Sequence, residues 1–133
     1  RLEFEEVRGL GVLGGASRPV ITRTADDGGE LRIEADEIRV LTDLAALYAR
    51  GSVAVVDGDV RSSGDEVYYD DAEEVAEVIG DPAIAVDEAA GVRLETARVR
   101  QDVRFRFVEA MDASLPTPFR PDQFRLAREG GED

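Results

Sequence analysis

The sequence predicts an α+β domain: a mostly antiparallel β-sheet or small barrel, two short helices and an extended C-terminal arm. Three observations carry this reading. Apolar and polar residues alternate through residues 30–41 and 92–108, the period of a strand with one buried face. After cap candidates at Asp43 and at Asp70–Asp71, apolar residues recur three and four apart. Beyond Asp112, Pro116, Pro118 and Pro121 hold the chain extended, since proline and the residue before it resist helix. Residues 1–112 read as one domain and residues 113–133 as its arm.

The elements follow in order. Glycines 9, 11, 14 and 15 interrupt Leu10, Val12 and Leu13, a short strand with a glycine turn. Residues 19–25 form a strand, Asp27-Gly28-Gly29 a turn, and residues 30–41 the hairpin partner. Leu31, Ile33 and Ala35 share one parity and Ile38 and Val40 the other, so a bulge is expected near Asp36–Glu37. Leu44, Leu47 and Tyr48 behind Asp43 predict a helix of about two turns, stopped by Gly51. Ser52–Val56 is a strand turned by Asp57-Gly58, and Ser62-Ser63-Gly64 is a polar link to a short strand at Val67-Tyr68-Tyr69. Val75, Val78 and Ile79 predict a second helix, with Glu73 and Glu74 in its dipole-favoured first turn and Gly80 as its stop. Residues 83–86 are a strand and residues 88–91 a turn. Residues 92–108 are the longest β-like stretch, with a parity shift after Thr96. Asp122–Arg128 has room for one helical turn before a frayed end.

Chemistry is bounded by what the chain lacks. All 16 cations are arginine, against 30 carboxylates, and Lys, His and Cys are absent from the 133 residues. No Lys means no Schiff-base nucleophile and no phosphate-reading lysine of a Walker loop. No His removes the usual neutral-pH base, and no Cys removes thiol catalysis, structural zinc and disulfides. A net charge of -14 makes the surface repel itself in dilute buffer. At molar salt the Debye length falls to about 3 Å and that repulsion fades. An acidic, lysine-free chain therefore fits a salt-in cytoplasm, archaeal or of another halophile, or a virus particle assembled in one. The alternative is an acidic protein from a high-GC mesophile. No apolar run approaches the ~20 residues of a membrane span. The start at Arg1 shows no signal peptide and no initiator Met, which suggests that the gene product begins upstream.

Charge is uneven. Residues 1–91 hold 8 Arg and 22 acids, net -14, whereas residues 92–128 hold 8 Arg and 5 acids, net +3. Arg98, Arg100, Arg104 and Arg106 share one strand face, opposite Val99, Val103, Phe105 and Phe107. They read as ion-pair partners, within the chain or across an interface. The alternative is a nucleic-acid track, but four phosphate contacts give a salt slope of about -3.6, too steep for binding at molar salt. Phe119, Arg120, Phe124, Arg125 and Leu126, on the proline-stiffened arm, have the composition of interface anchors. The competing reading is an arm folded back over its own sheet. Acidic pairs, with Asp57-Gly58-Asp59 the best, are candidate Mg²⁺ or Ca²⁺ ligands, but no calcium-loop spacing occurs and no metal or cofactor is expected. Gly9-x-Gly11-x-x-Gly14 matches a dinucleotide fingerprint in letters only, because Pro19 interrupts the helix that should follow.

Gly51-Ser-Val-Ala-Val-Val-Asp57-Gly58, after Ala46-Leu47-Tyr48, resembles the N-terminal domain of archaeal tRNA-splicing endonucleases. The catalytic half of that family uses Tyr, His and Lys, so the resemblance implies no cleavage here. The expectation is a non-enzymatic protein–protein interaction module or structural subunit of a larger assembly. Its partner would be another protein or a second copy, through the Arg98–Arg106 face and the Phe119–Leu126 arm. Alternatives are a nucleic-acid-associated accessory protein and a carboxylate-metal hydrolase.

Overall fold

A computed structural model describes residues 2–5, 9–15, 18–24, 29–41, 46–103, 107–111 and 124. They form ten antiparallel strands: β1 Leu2–Glu5, β2 Leu10–Gly14, β3 Val20–Thr24, β4 Glu30–Glu34, β5 Glu37–Leu41, β6 Ala46–Asp57, β7 Val60–Asp70, β8 Val75–Asp87, β9 Val92–Asp102 and β10 Phe107–Ala110. All belong to one open sheet in the order β1-β2-β5-β6-β7-β8-β9-β10, with the β3–β4 hairpin joined to β6.

There is no helix among the described residues, so the fold is all-β and not α+β. The segment from Ala46 onward, expected as helix, is the start of β6, and Asp43 to Ala45 lie outside the described residues. The second expected helix is β8. Both segments are apolar on two faces, which hides the strand period. Leu47 and Val78 point into the main core, while Tyr48 and Ile79 pack into a second cluster on the opposite face. The cap signal at Asp70 is real chemistry in another setting. Its Oδ1 accepts the N–H groups of Ala72 (2.9 Å) and Glu73 (3.1 Å), closing the turn between β7 and β8. The hairpin of β3 and β4 and the turns at Gly58 and at residues 88–91 stand where the sequence places them.

The long strands β6 to β9 are each broken once in register, and the breaks line up. They fall between Arg50 and Val53, between Ser63 and Glu66, and between Ile79 and Ala83. On the far side of β6 the break continues as the Ala35–Asp36 interruption between β4 and β5. Stacked bulges let strands turn a corner together. The corner is a fold of the sheet onto itself, as one hydrogen bond proves. Ser62 of β7 donates from Oγ to Oε1 of Gln101 in β9 at 2.6 Å. Their register partners on the intervening β8 are Ala85 and Ala76. Nine residues of straight strand would hold these ~30 Å apart. The two halves of the sheet therefore face one another, with Leu31, Ile33, Val55, Val67, Val78 and Val99 in the core between them.

Gly51 sits on the crease with φ 89°, where an added Cβ would come within 2.6 Å of Asp36 Cβ. Arg18 ties the same point together. Its guanidinium donates to Glu34 (2.9 Å), Asp36 (2.7 Å), the Gly51 carbonyl (3.3 Å) and the Ser52 carbonyl. The hydrogen bond from Arg18, more than any other cause, holds the Glu34 carboxyl below its ordinary range.

Candidate functional site

The arginine face does not exist as a continuous strip. β9 ends at Asp102 and the chain returns as β10, pairing Phe107 with Asp102, so residues 92–108 are a hairpin and not one strand. Arg104 and Arg106, like Phe105, lie outside the described residues. Arg98 is 5 % exposed, and its Nε and Nη2 donate to Glu77 Oε1 at 2.9 and 2.8 Å. A guanidinium so committed to a buried carboxylate is not available to a phosphate. Arg100 is half-exposed, with Nη1 3.7 Å from Glu109 and Nη2 3.9 Å from Asp102.

Of the arm, Phe124 is described, and Phe119, Arg120, Arg125 and Leu126 lie outside the described residues. Phe124 is buried against the chain's own outer sheet face, its ring 5.8 Å from Tyr48 and 6.1 Å from Tyr68. Those two rings are 4.8 Å apart, a spacing suited to tilted aromatic pairs. Beneath them lie Leu10, Val12 and Leu41. The buried Arg39 donates from Nη1 to the Phe124 carbonyl at 2.9 Å and from Nε to Glu37 at 2.9 Å.

The tyrosines are set deep. Burial pushes Tyr68 up to about 12 and Tyr48 and Tyr69 further. Tyr48 also donates to Glu66, and Tyr69 donates to Asp71 Oδ1 at 3.2 Å. A phenol whose pKa rises on folding adds stability that is full below its ordinary 10.0 and is lost as pH climbs through the folded value. Absorbance at about 295 nm should therefore show no phenolate near pH 10 while the fold persists, then all three appearing together as the protein unfolds. Stepwise titration near 10 in the folded protein would contradict this burial.

One feature left no local trace in the sequence. A cavity of about 270 Å³ lies between the two half-sheets, lined by Ile21, Leu31, Ile33, Leu41, Leu47 and Tyr69. Arg23 on β3 and Asp71 in the β7–β8 turn also line it and form an ion pair at the solvent boundary. That pair spans the fold. Through β4, Arg23 connects to Asp57 at one end of β6, while Asp70 pairs with Ala46 at the other. A second, polar cleft of about 210 Å³ shares Arg23, Leu31, Tyr69 and Asp71 with the first and adds Thr24, Glu74 and Val103.

A cluster of acids around Asp57, Asp59 and Asp87 lines a third depression. No group of three or more ligand side chains is placed to hold a metal ion among the described residues. No helix there is long and apolar enough to cross a membrane. No family model matches the chain, and no curated protein matches it. Residues 46–57, where the sequence suggested a family likeness, fold as the strand β6, and no match supports that likeness.

Proposed function

We propose that the chain is a non-enzymatic binding subunit that adds to further copies of itself through the ends of its sheet. The observation that carries this is the open sheet. Among the described residues β1 pairs only with β2 and β10 only with β9, and each end strand exposes a large ring, Phe4 at 59 % and Phe107 at 38 %. A sheet edge is a template for another strand, and exposed rings beside it add apolar contact. The described end strands are both acidic, Glu3 and Glu5 in β1 and Glu109 in β10, so the ends meet more readily when salt screens them.

The register offers a selective test. Met111 N–H bonds to the Arg98 carbonyl at 2.9 Å. Bonding alternates along an antiparallel pair, so the N–H of Ala110 points away from β9. Ala110→Pro should leave the domain folded and abolish self-association, measured by light scattering. Association unchanged by this substitution would rule out β10 as the joining edge.

A second reading rests on the cavity. A mostly apolar volume of about 270 Å³ with two charged groups at its edge is the form of a small-ligand site. An engineered apolar cavity of about 150 Å³ already takes benzene. We propose that this space receives an aliphatic chain. Ile21→Phe, which fills it from the one half-buried position of the otherwise exposed β3, should abolish uptake of a ten-carbon amphiphile measured by calorimetry. Uptake that survives the substitution would place binding elsewhere.

A further inference from the structure

Phe124 fills a seat made by three strands of the outer face. Its ring packs on Tyr48 of β6 and Tyr68 of β7, and its carbonyl accepts from Arg39 of β5 at 2.9 Å. One register row crosses this half-sheet from Glu3 on β1 to Glu109 on β10, and it passes through Arg39, Tyr48 and Tyr68. The seat therefore lies on the same half-sheet as both end strands. Resting on the sheet-end reading above, we infer that joined copies exchange their arms: the Phe124 ring of one copy fills the Arg39–Tyr48–Tyr68 seat of the next.

Strand parity makes this possible. The row crosses eight strands, each antiparallel to its neighbour. With an even number, β1 and β10 run in opposite senses. A second copy shifted along the row, without being turned over, sets its β1 antiparallel to the first copy's β10 and presents its seat on the same face. Reach allows it as well. At a strand spacing of about 4.8 Å, the seat lies about 17 Å from β10 within one copy and about 22 Å from it in the next. Twelve residues, 112–123, link Met111 beside Arg98 to Phe124, and a chain of that length reaches up to about 40 Å. Exchange breaks and remakes the same contacts, so it costs little, and it adds a chain that crosses each join. Two copies then separate only after the ring has left its seat, and the effect falls on the rate of dissociation.

The test places p-benzoylphenylalanine at position 124 of the full chain, which keeps an aromatic ring in the seat and bonds to its neighbours under near-ultraviolet light. This protein is mixed with isotope-labelled, unsubstituted chain at ~1 M KCl, where the acidic surfaces are screened. At concentrations where light scattering shows association, cross-links should join labelled to unlabelled chains at peptides bearing Tyr48 or Tyr68. With Ala110→Pro added, every cross-link should fall within one chain. Phe124→Ala, checked for an unchanged far-ultraviolet dichroism spectrum, avoids the bulkier ring: on dilution its assemblies should lose mass at least about tenfold faster than those of the unsubstituted chain. Cross-links confined to single chains in an associated sample, or an unchanged rate of mass loss, overturn the exchange and leave the sheet-end reading standing. Cross-links between copies that persist with Ala110→Pro also overturn it, because arms would then pass between copies that are not joined. A sample that never associates overturns the sheet-end reading, and this inference with it.

Discussion

Replacing Phe124 with alanine is expected to lower the stability of the domain by about 3 kcal/mol, measured from the midpoint and slope of urea unfolding. The ring is 3 % exposed and packs on Tyr48 and Tyr68, and its carbonyl accepts from Arg39, itself 5 % exposed. Deleting a buried phenylalanine side chain costs about 3–5 kcal/mol where the surroundings cannot collapse. The low end applies because Phe124 belongs to no strand and can shift. If it withdraws, Arg39 also loses one of its acceptors, the Phe124 carbonyl, while keeping Glu37, and a lost buried hydrogen bond is a penalty of its own. The experiment also decides between two roles for the arm. A loss of this size makes Phe124 a cover for the outer sheet face. A loss below about 0.5 kcal/mol, as at ordinary surface positions, makes it a ring free to anchor a partner.

The second large effect belongs to the crease. Gly51→Ala is expected to cost about 3 kcal/mol or more by the same measurement. Two penalties combine. The φ of 89° is a conformation L residues avoid, costing roughly 1–2 kcal/mol, and the new methyl overlaps Asp36, an overpacking term of about 1–3 kcal/mol. Relief of the overlap would push Asp36 away from Arg18, loosening the staple across β4, β5 and β6. A cost below about 1 kcal/mol would mean that the crease bends freely and that the two half-sheets are not held by it.

Much of the β structure is legible because its signals are local. The switch of parity between Ile33 and Ile38 marks the β4–β5 break, and the shift after Thr96 marks where β9 crosses the crease, with Leu94 and Val99 both turned inward. The two expected helices are strands for a physical reason. Asp70 gives the same two hydrogen bonds in a turn as at a helix start, and a strand buried on both faces presents apolar residues at any spacing. The candidate sites were harder still. Arg98 is named by composition, but its buried pairing with Glu77 depends on which strand lies beside β9. The cavity gathers residues from Ile21 to Asp71 only after the sheet folds, so no window of sequence contains it.

Self-association through the sheet ends is read out by the solution mass of the protein. Light scattering should be recorded over a hundredfold range of protein concentration at ~0.15 and ~1 M KCl, for the unsubstituted chain and for Ala110→Pro. With a net charge of -14, copies repel in dilute salt and approach more readily when screened. Mass should rise with concentration, more steeply at the higher salt, and Ala110→Pro should be a monomer under every condition. A folded, unsubstituted monomer of 14.5 kDa throughout would contradict self-association through the sheet ends.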